Sequence, residues 1–236
     1  MMTSLSAHAA EIKVMASIAI KDAYLELVPA FEKSNGHKVT TIWAGTVDIM
    51  KRIGGGEAVD LVIASAPSIE GLTAQGRIVP GSALPLARSG IGVAVKAGAP
   101  KPDISSGDAL KRTLLAAKSI GYSTGPSGVY IAELIGKMGI ADAIKSKVVI
   151  AGPGLAVGDF IVRGEAEIGF QQVSEILAVK GVDLVGPLPP DVQLVTVFPA
   201  ALTTVAASPE AAKALVAFLR TDQAGAVFAH TGMQPR

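Results

Sequence analysis

The 236-residue chain contains no cysteine, which excludes disulfides, thiolate nucleophiles and cysteine-ligated metals. Aromatic residues make up only 4% of it, with a single Trp, too few for a stacking platform that would hold sugars or bases. Charge is scarce at 17% and nearly balanced, with a formal net charge of +1. Lys and Arg are scattered, so neither nucleic acid nor an anionic membrane surface has an electrostatic footprint to meet. No apolar run approaches the ~18 residues of a membrane-spanning helix, and no membrane insertion is expected. The three histidines, His8, His37 and His230, are not spaced with other ligands for a metal. Gly54-Gly55-Gly56 lacks the Lys-Ser/Thr of a phosphate-binding P-loop. Gly125-Pro126-Ser127-Gly128 lacks the pattern of a hydrolase nucleophile elbow. Neither metal nor cofactor is expected.

What is present is a well-fed hydrophobic core, since half of the residues are apolar. Strand and helix patterns alternate along it. Ile12–Ile18 reads as a short strand and Asp22–Lys33 as a helix, with Ala23, Tyr24, Leu27, Val28 and Phe31 in one stripe. Strands then follow at Lys38–Trp43 and Leu61–Ala64, with helices at Asp48–Ile53 and from Pro67 to Gln75. A long strand, Arg88–Lys96, opens a second series with strands at Ser119–Tyr122, Val148–Ile150 and Glu167–Phe170. Helices at Asp108–Ala117, Gly128–Met138 and Val157–Arg163 lie between them. The chain returns through Val182–Val185, a turn at Pro187, Pro189 and Pro190, and a strand at Gln193–Val197. Helices near Pro209–Leu219 and Gln223–Thr231 finish it. Such alternation implies parallel sheets whose functional rim lies at the strand C-terminal ends. Two series and a late return predict two lobes, residues 11–86 with 190–236 and residues 87–189, behind an N-terminal tail of residues 1–10. Ser6–Ala10 has the small residues that end a secretory signal, and cleavage near Ala9 or Ala10 is expected, although the basic start and apolar core are missing.

Four polar loops fall where a strand hands over to a helix. They contain Ser17 and Ala19, Gly45-Thr46, Ser123 to Gly128, and Gln171-Gln172. Helix N-termini present free N–H groups and a positive dipole end, so loops drawn from both halves predict an interlobe cleft for a small anion.

The residues Ile12-Lys13-Val14-Met15-Ala16-Ser17, Gly36-His37-Lys38-Val39 and Gly56-Glu57-Ala58-Val59-Asp60-Leu61 carry a resemblance. With Pro126-Ser127-Gly128-Val129-Tyr130 and Val162-Arg163-Gly164-Glu165-Ala166-Glu167, they resemble the molybdate-binding family of periplasmic solute receptors over nearly the whole chain. The resemblance implies an α/β, two-lobed type II periplasmic-binding-protein fold, each lobe a mostly parallel sheet flanked by helices, joined by two hinge crossings. It implies a periplasmic location, with a cytoplasmic one as the alternative, and, if exported, an ABC-transporter permease as partner. It places the family's hydroxyl and backbone donors on Ala19, Thr46, Ser127 and Gly154, and its capping tyrosine on Gln172. Loss of the first-loop hydroxyl and of that phenol tells against molybdate itself and leaves the ligand open between another small oxyanion and a carboxylate.

Ala19-Ile20-Lys21 and Gly186-Pro187-Leu188-Pro189 resemble a divergent branch of the same family that includes bacterial aconitate isomerase. Receptor and isomerase therefore both stand at this point. The expected ligand-binding residues are Ser17, Ala19, Lys21, Thr46, Ser123, Ser127, Gly154, Gln171 and Gln172. For catalysis, Lys21 and Tyr130 are the side chains on offer, and no well-placed Asp, Glu or His is evident.

Overall fold

A computed structural model describes residues 9–236. Most of the expected signal remnant lies outside the described residues. The first half opens with β1 (Glu11–Ser17), α1 (Lys21–Asn35), β2 (Lys38–Ala44), α2 (Thr46–Gly54), β3 (Leu61–Ile63) and α3 (Ala66–Ala74). The long β4 (Leu84–Lys96) leads into α4 (Gly107–Ala116), β5 (Ile120–Ser123), α5 (Pro126–Lys137) and α6 (Ala141–Ile144). Next come β6 (Val148–Ala151), α7 (Val157–Val162), β7 (Ile168–Gln172), α8 (Val173–Leu177) and β8 (Val182–Pro187). β9 (Val195–Leu202), α9 (Pro209–Leu219), α10 (Asp222–His230) and β10 (Gln234–Pro235) complete the chain.

These strands form two sheets that share β4. In the first, β2, β1 and β3 run parallel, and β9 then joins β3 to β4 with antiparallel pairing on both sides. In the second, β6, β5 and β7 run parallel, and β4 lies antiparallel between β7 and β8. Each sheet thus has a parallel core with its functional rim at the strand C-terminal ends. The result is the two-lobed α/β architecture of a type II periplasmic-binding protein.

Alternation along the strands feeds a core on each face of each sheet. Val14 and Ala16 of β1 pack with Phe31 of α1 and Leu215 of α9, while Met15 points the other way, against Ile49 of α2 and Leu72 of α3. In the second sheet, Ile91, Ile120 and Phe170 pack with Leu110 of α4 and Ile131 of α5. The opposite face buries Ala94 and Ala151 under Val157 of α7 and Ile176 of α8.

β4 changes sheets between Gly90, which pairs with β9, and Ile91, which pairs with β7. The Gln193 amide stands in for a strand neighbour at that point. Its Oε1 accepts from Ile91 N at 2.9 Å and its Nε2 donates to Ile91 O at 3.0 Å. Two crossings, β4 and the segment between β8 and β9, therefore connect the lobes. No helix among the described residues is long and apolar enough to cross a membrane.

Candidate functional site

The parallel strands β1, β2, β5, β6 and β7 all end facing the gap between the lobes. There the loops enclose a cavity of about 240 Å³. All nine residues expected to bind ligand line it, from Ser17, Ala19, Lys21 and Thr46 on one lobe to Ser123, Ser127, Gly154, Gln171 and Gln172 on the other. Tyr130 does not. It sits on the second turn of α5 with its hydroxyl donating to Val192 O at 2.9 Å, away from the cavity lining.

Two helices open into the cavity without side-chain caps. The N-caps of α2 and α5 are Gly45 and Gly125, neither of which can cap through a side chain. The first-turn N–H groups of Thr46 and Ser127 are left for a ligand, with the dipole of each helix behind them. Elsewhere α4 and α10 are capped by Ser106 and Thr221, whereas α3 and α9 have no side-chain cap. α5 is seated very tightly: a Cβ built on Gly128 would lie 1.5 Å from Ser123 O. That approach holds the helix start against the end of β5.

The hydroxyls divide by role. Ser17 Oγ accepts from Ala19 N at 3.3 Å and Ser123 Oγ accepts from Gly125 N at 3.2 Å. Each stiffens its own loop and keeps its O–H proton to donate. Ala19 itself offers the cavity little polar chemistry. Its N–H is taken by Ser17, and its carbonyl accepts from Ser174 Oγ of the other lobe at 2.7 Å. Lys21 lies exposed at the rim with Nζ 5.9 Å from the Trp43 ring centroid, a placement for pairing with an anion rather than for a desolvated base.

The two buried glutamines also bond within the protein. Gln172 is turned to the hinge, with Nε2 donating to Ser89 O at 3.0 Å and Oε1 accepting from Thr196 Oγ1 at 3.1 Å, the amide orientation that satisfies both ends. Gln171 Oε1 accepts from Val157 N at the start of α7 at 2.8 Å, and its Nε2 donates to Glu175 Oε1 at 2.9 Å.

Glu175 lines the same cavity and is the functional candidate that sequence reading missed. Burial raises its carboxyl from 4.5 to about 7, against the opposing pull of hydrogen bonds from the Gln171 side chain and the Gln172 N–H. α8, which carries it, packs so closely on β4 that a Cβ at Gly92 would meet Ile176 Cδ1 at 3.0 Å and Val173 Cγ2 at 3.1 Å. Among the described residues no cluster of three or more His, Cys, Asp or Glu is arranged to hold a metal.

Residues 12–234 match the family of bacterial extracellular solute-binding proteins. The chain belongs to that family. It is 35% identical over 230 residues to aconitate isomerase from a Pseudomonas species, a match covering 95% of this chain and 87% of that protein. It is 29% identical over 175 residues to the molybdate-binding protein ModA of Azotobacter vinelandii, covering 72% of this chain and 68% of ModA. In fold it is similar to the sulfate-binding protein SubI of Mycobacterium tuberculosis, with a TM-score of 0.79 and 21% identity over 96% of this chain and 87% of SubI. The solute-binding protein thus shares its architecture with anion receptors, and its sequence with a receptor and an enzyme.

Proposed function

We propose that the cleft captures a small polycarboxylate between its lobes, residues 11–86 with 190–236 on one side and residues 87–189 on the other. The observation that carries this reading is the pairing of two uncapped helix N-termini, α2 and α5, across one cavity of about 240 Å³. That space admits a compact polycarboxylate as well as a single tetrahedral oxyanion. Helix N-termini on opposite walls can each take one carboxylate, while the Thr46 and Ser127 hydroxyls add donors and Lys21 adds a cation at the rim. Closing expels water and strengthens each of these bonds. Placement outside the cytoplasm and delivery to an ABC-type permease go with the family.

A second reading, isomerisation of an unsaturated tricarboxylate such as aconitate, is favoured by the relative of that name and by an acid–base group in the cavity wall.

A thermal-shift panel of molybdate, tungstate, sulfate, phosphate, citrate, cis-aconitate and trans-aconitate tests the ligand class. A ligand at a hundred times its Kd should add about 2.7 kcal/mol to folded-state stability. Stabilisation by citrate or the aconitates is the expected result. A response to molybdate or tungstate alone would overturn the carboxylate reading.

A further inference from the structure

Glu175 stands apart from the other charged residues of the cavity. Lys21 and Asp22 are exposed at its rim, whereas Glu175 is set into the wall, on a helix packed against β4, β7, β8 and the turn Ile18–Ile20. None of those contacts brings a cation to neutralise it: Gln171 and the Gln172 N–H are its partners. A simple anion receptor gains nothing from a carboxyl there, since the ionised form repels the ligand.

We propose that Glu175 is the catalytic base of this cleft, shifting a proton along a bound unsaturated polycarboxylate, with Gln171 as the positioning residue that aims it. The proposal rests on the second reading above, isomerisation of a bound unsaturated polycarboxylate. In the step, the C–H bond of a methylene group beside a ligand carboxylate breaks and its proton passes to a Glu175 oxygen. The electron pair moves through the neighbouring double bond into conjugation with a carboxylate, giving a dienolate. Glu175 then returns the proton to the far carbon, and the double bond re-forms one position along with either geometry. Atoms and oxidation level are unchanged, so no cofactor or co-reactant enters. The donors of α2 and α5 hold the dienolate oxygens where charge develops. A carboxyl that titrates near 7 suits both halves of the transfer at neutral pH.

Gln171 bridges the start of α7 and Glu175 through one amide, which fixes the carboxyl relative to the second lobe. Glu175 is also the third residue of α8, where a side chain turned back to the N-cap residue's N–H caps the helix. Glutamine performs that capping too. Glu175→Gln therefore keeps the cap and removes the base.

The test is proton NMR of cis- and trans-aconitate in D₂O with wild type and E175Q, alongside calorimetric titration of both proteins with both isomers. Wild type is expected to interconvert the isomers and carry deuterium into their methylene carbons, at a rate that rises with pH through about 7. E175Q is expected to bind each isomer within about threefold of wild type while conversion and exchange slow by about 10²–10⁴-fold. E175D, which keeps the carboxyl, should recover part of the rate and the pH limb. Binding without exchange in wild type, or exchange that survives E175Q, would overturn the role of Glu175 and leave carboxylate capture standing. Failure of wild type to bind either isomer would remove both.

Discussion

At the scale of single residues, Glu175 has a consequence for stability that does not depend on any ligand. Folding lifts its carboxyl from 4.5 to about 7, so the folded state holds more protons than the unfolded state between those values. Stability then falls as pH rises through that window and levels off above it. Below 4.5 both states are protonated and the effect vanishes. The span corresponds to roughly 3 kcal/mol at most, from 1.36 kcal/mol per pH unit. Glu175→Gln lacks the ionisation and keeps the helix cap, so it should exceed wild type in stability at pH 8 by up to about 3 kcal/mol. At pH 4.5 most of that advantage should be gone. Urea midpoints at the two pH values measure it, and an E175Q protein no more stable at pH 8 would mean that the carboxyl is not desolvated.

At the scale of elements, the loops that line the cavity were legible because each sits at a change of period, where a β run gives way to a helix. Thr46, Ser123 and Ser127 were found that way, and the residue pattern around Pro126 and Gly128 marked the start of α5. α8 was invisible for a physical reason. Five residues make little more than one helical turn, too short for a 3.6-residue stripe, and Val173–Leu177 follows β7 with no loop between. With the helix went Glu175. For the glutamines, pattern correctly put Gln171 and Gln172 at the rim of the second lobe, and the packed structure adds that their amides also bond to Glu175 and the hinge. Tyr130 belongs to the same class, a polar group near the site in sequence whose partner, Val192, lies 62 residues away. Gly128 tests how strictly the α5 start is held. Any side chain there collides with backbone at Ser123, which cannot rotate aside as a side-chain tip can. Gly128→Ala should cost at least about 3 kcal/mol by urea denaturation, at the upper end of overpacking effects, and loosen the Ser127 N–H along with it. An unchanged midpoint would show that α5 has room to slide on β5.

At the scale of the whole molecule, the two lobes touch across the cavity mouth through main chain. A Cβ built on Gly45 of the first lobe would lie 3.1 Å from Gly154 N of the second and 3.7 Å from the Pro153 backbone. Deeper in, Ser174 Oγ donates to Ala19 O across the same gap. This arrangement is the closed one, which a ligand would favour over an open one, and it leaves little room for a side chain at residue 45. Gly45 itself has φ −72° and ψ 160°, a conformation open to any residue, so a substitution there adds a wedge without straining its own loop. Gly45→Val should leave the urea midpoint of the unliganded protein within about 0.5 kcal/mol of wild type. It should weaken cis-aconitate binding by about tenfold or more, equivalent to 1.4 kcal/mol, because the donors of α2 no longer reach a ligand held by α5. Small-angle scattering supplies the independent readout. Wild type should contract on adding cis-aconitate, and G45V should keep its unliganded radius of gyration at a ligand concentration that saturates wild type. If G45V contracts as wild type does, the lobes close by a path that does not bring Gly45 against Gly154, and the hinge formed by β4, Gln172 and Gln193 would have to permit a second closed arrangement.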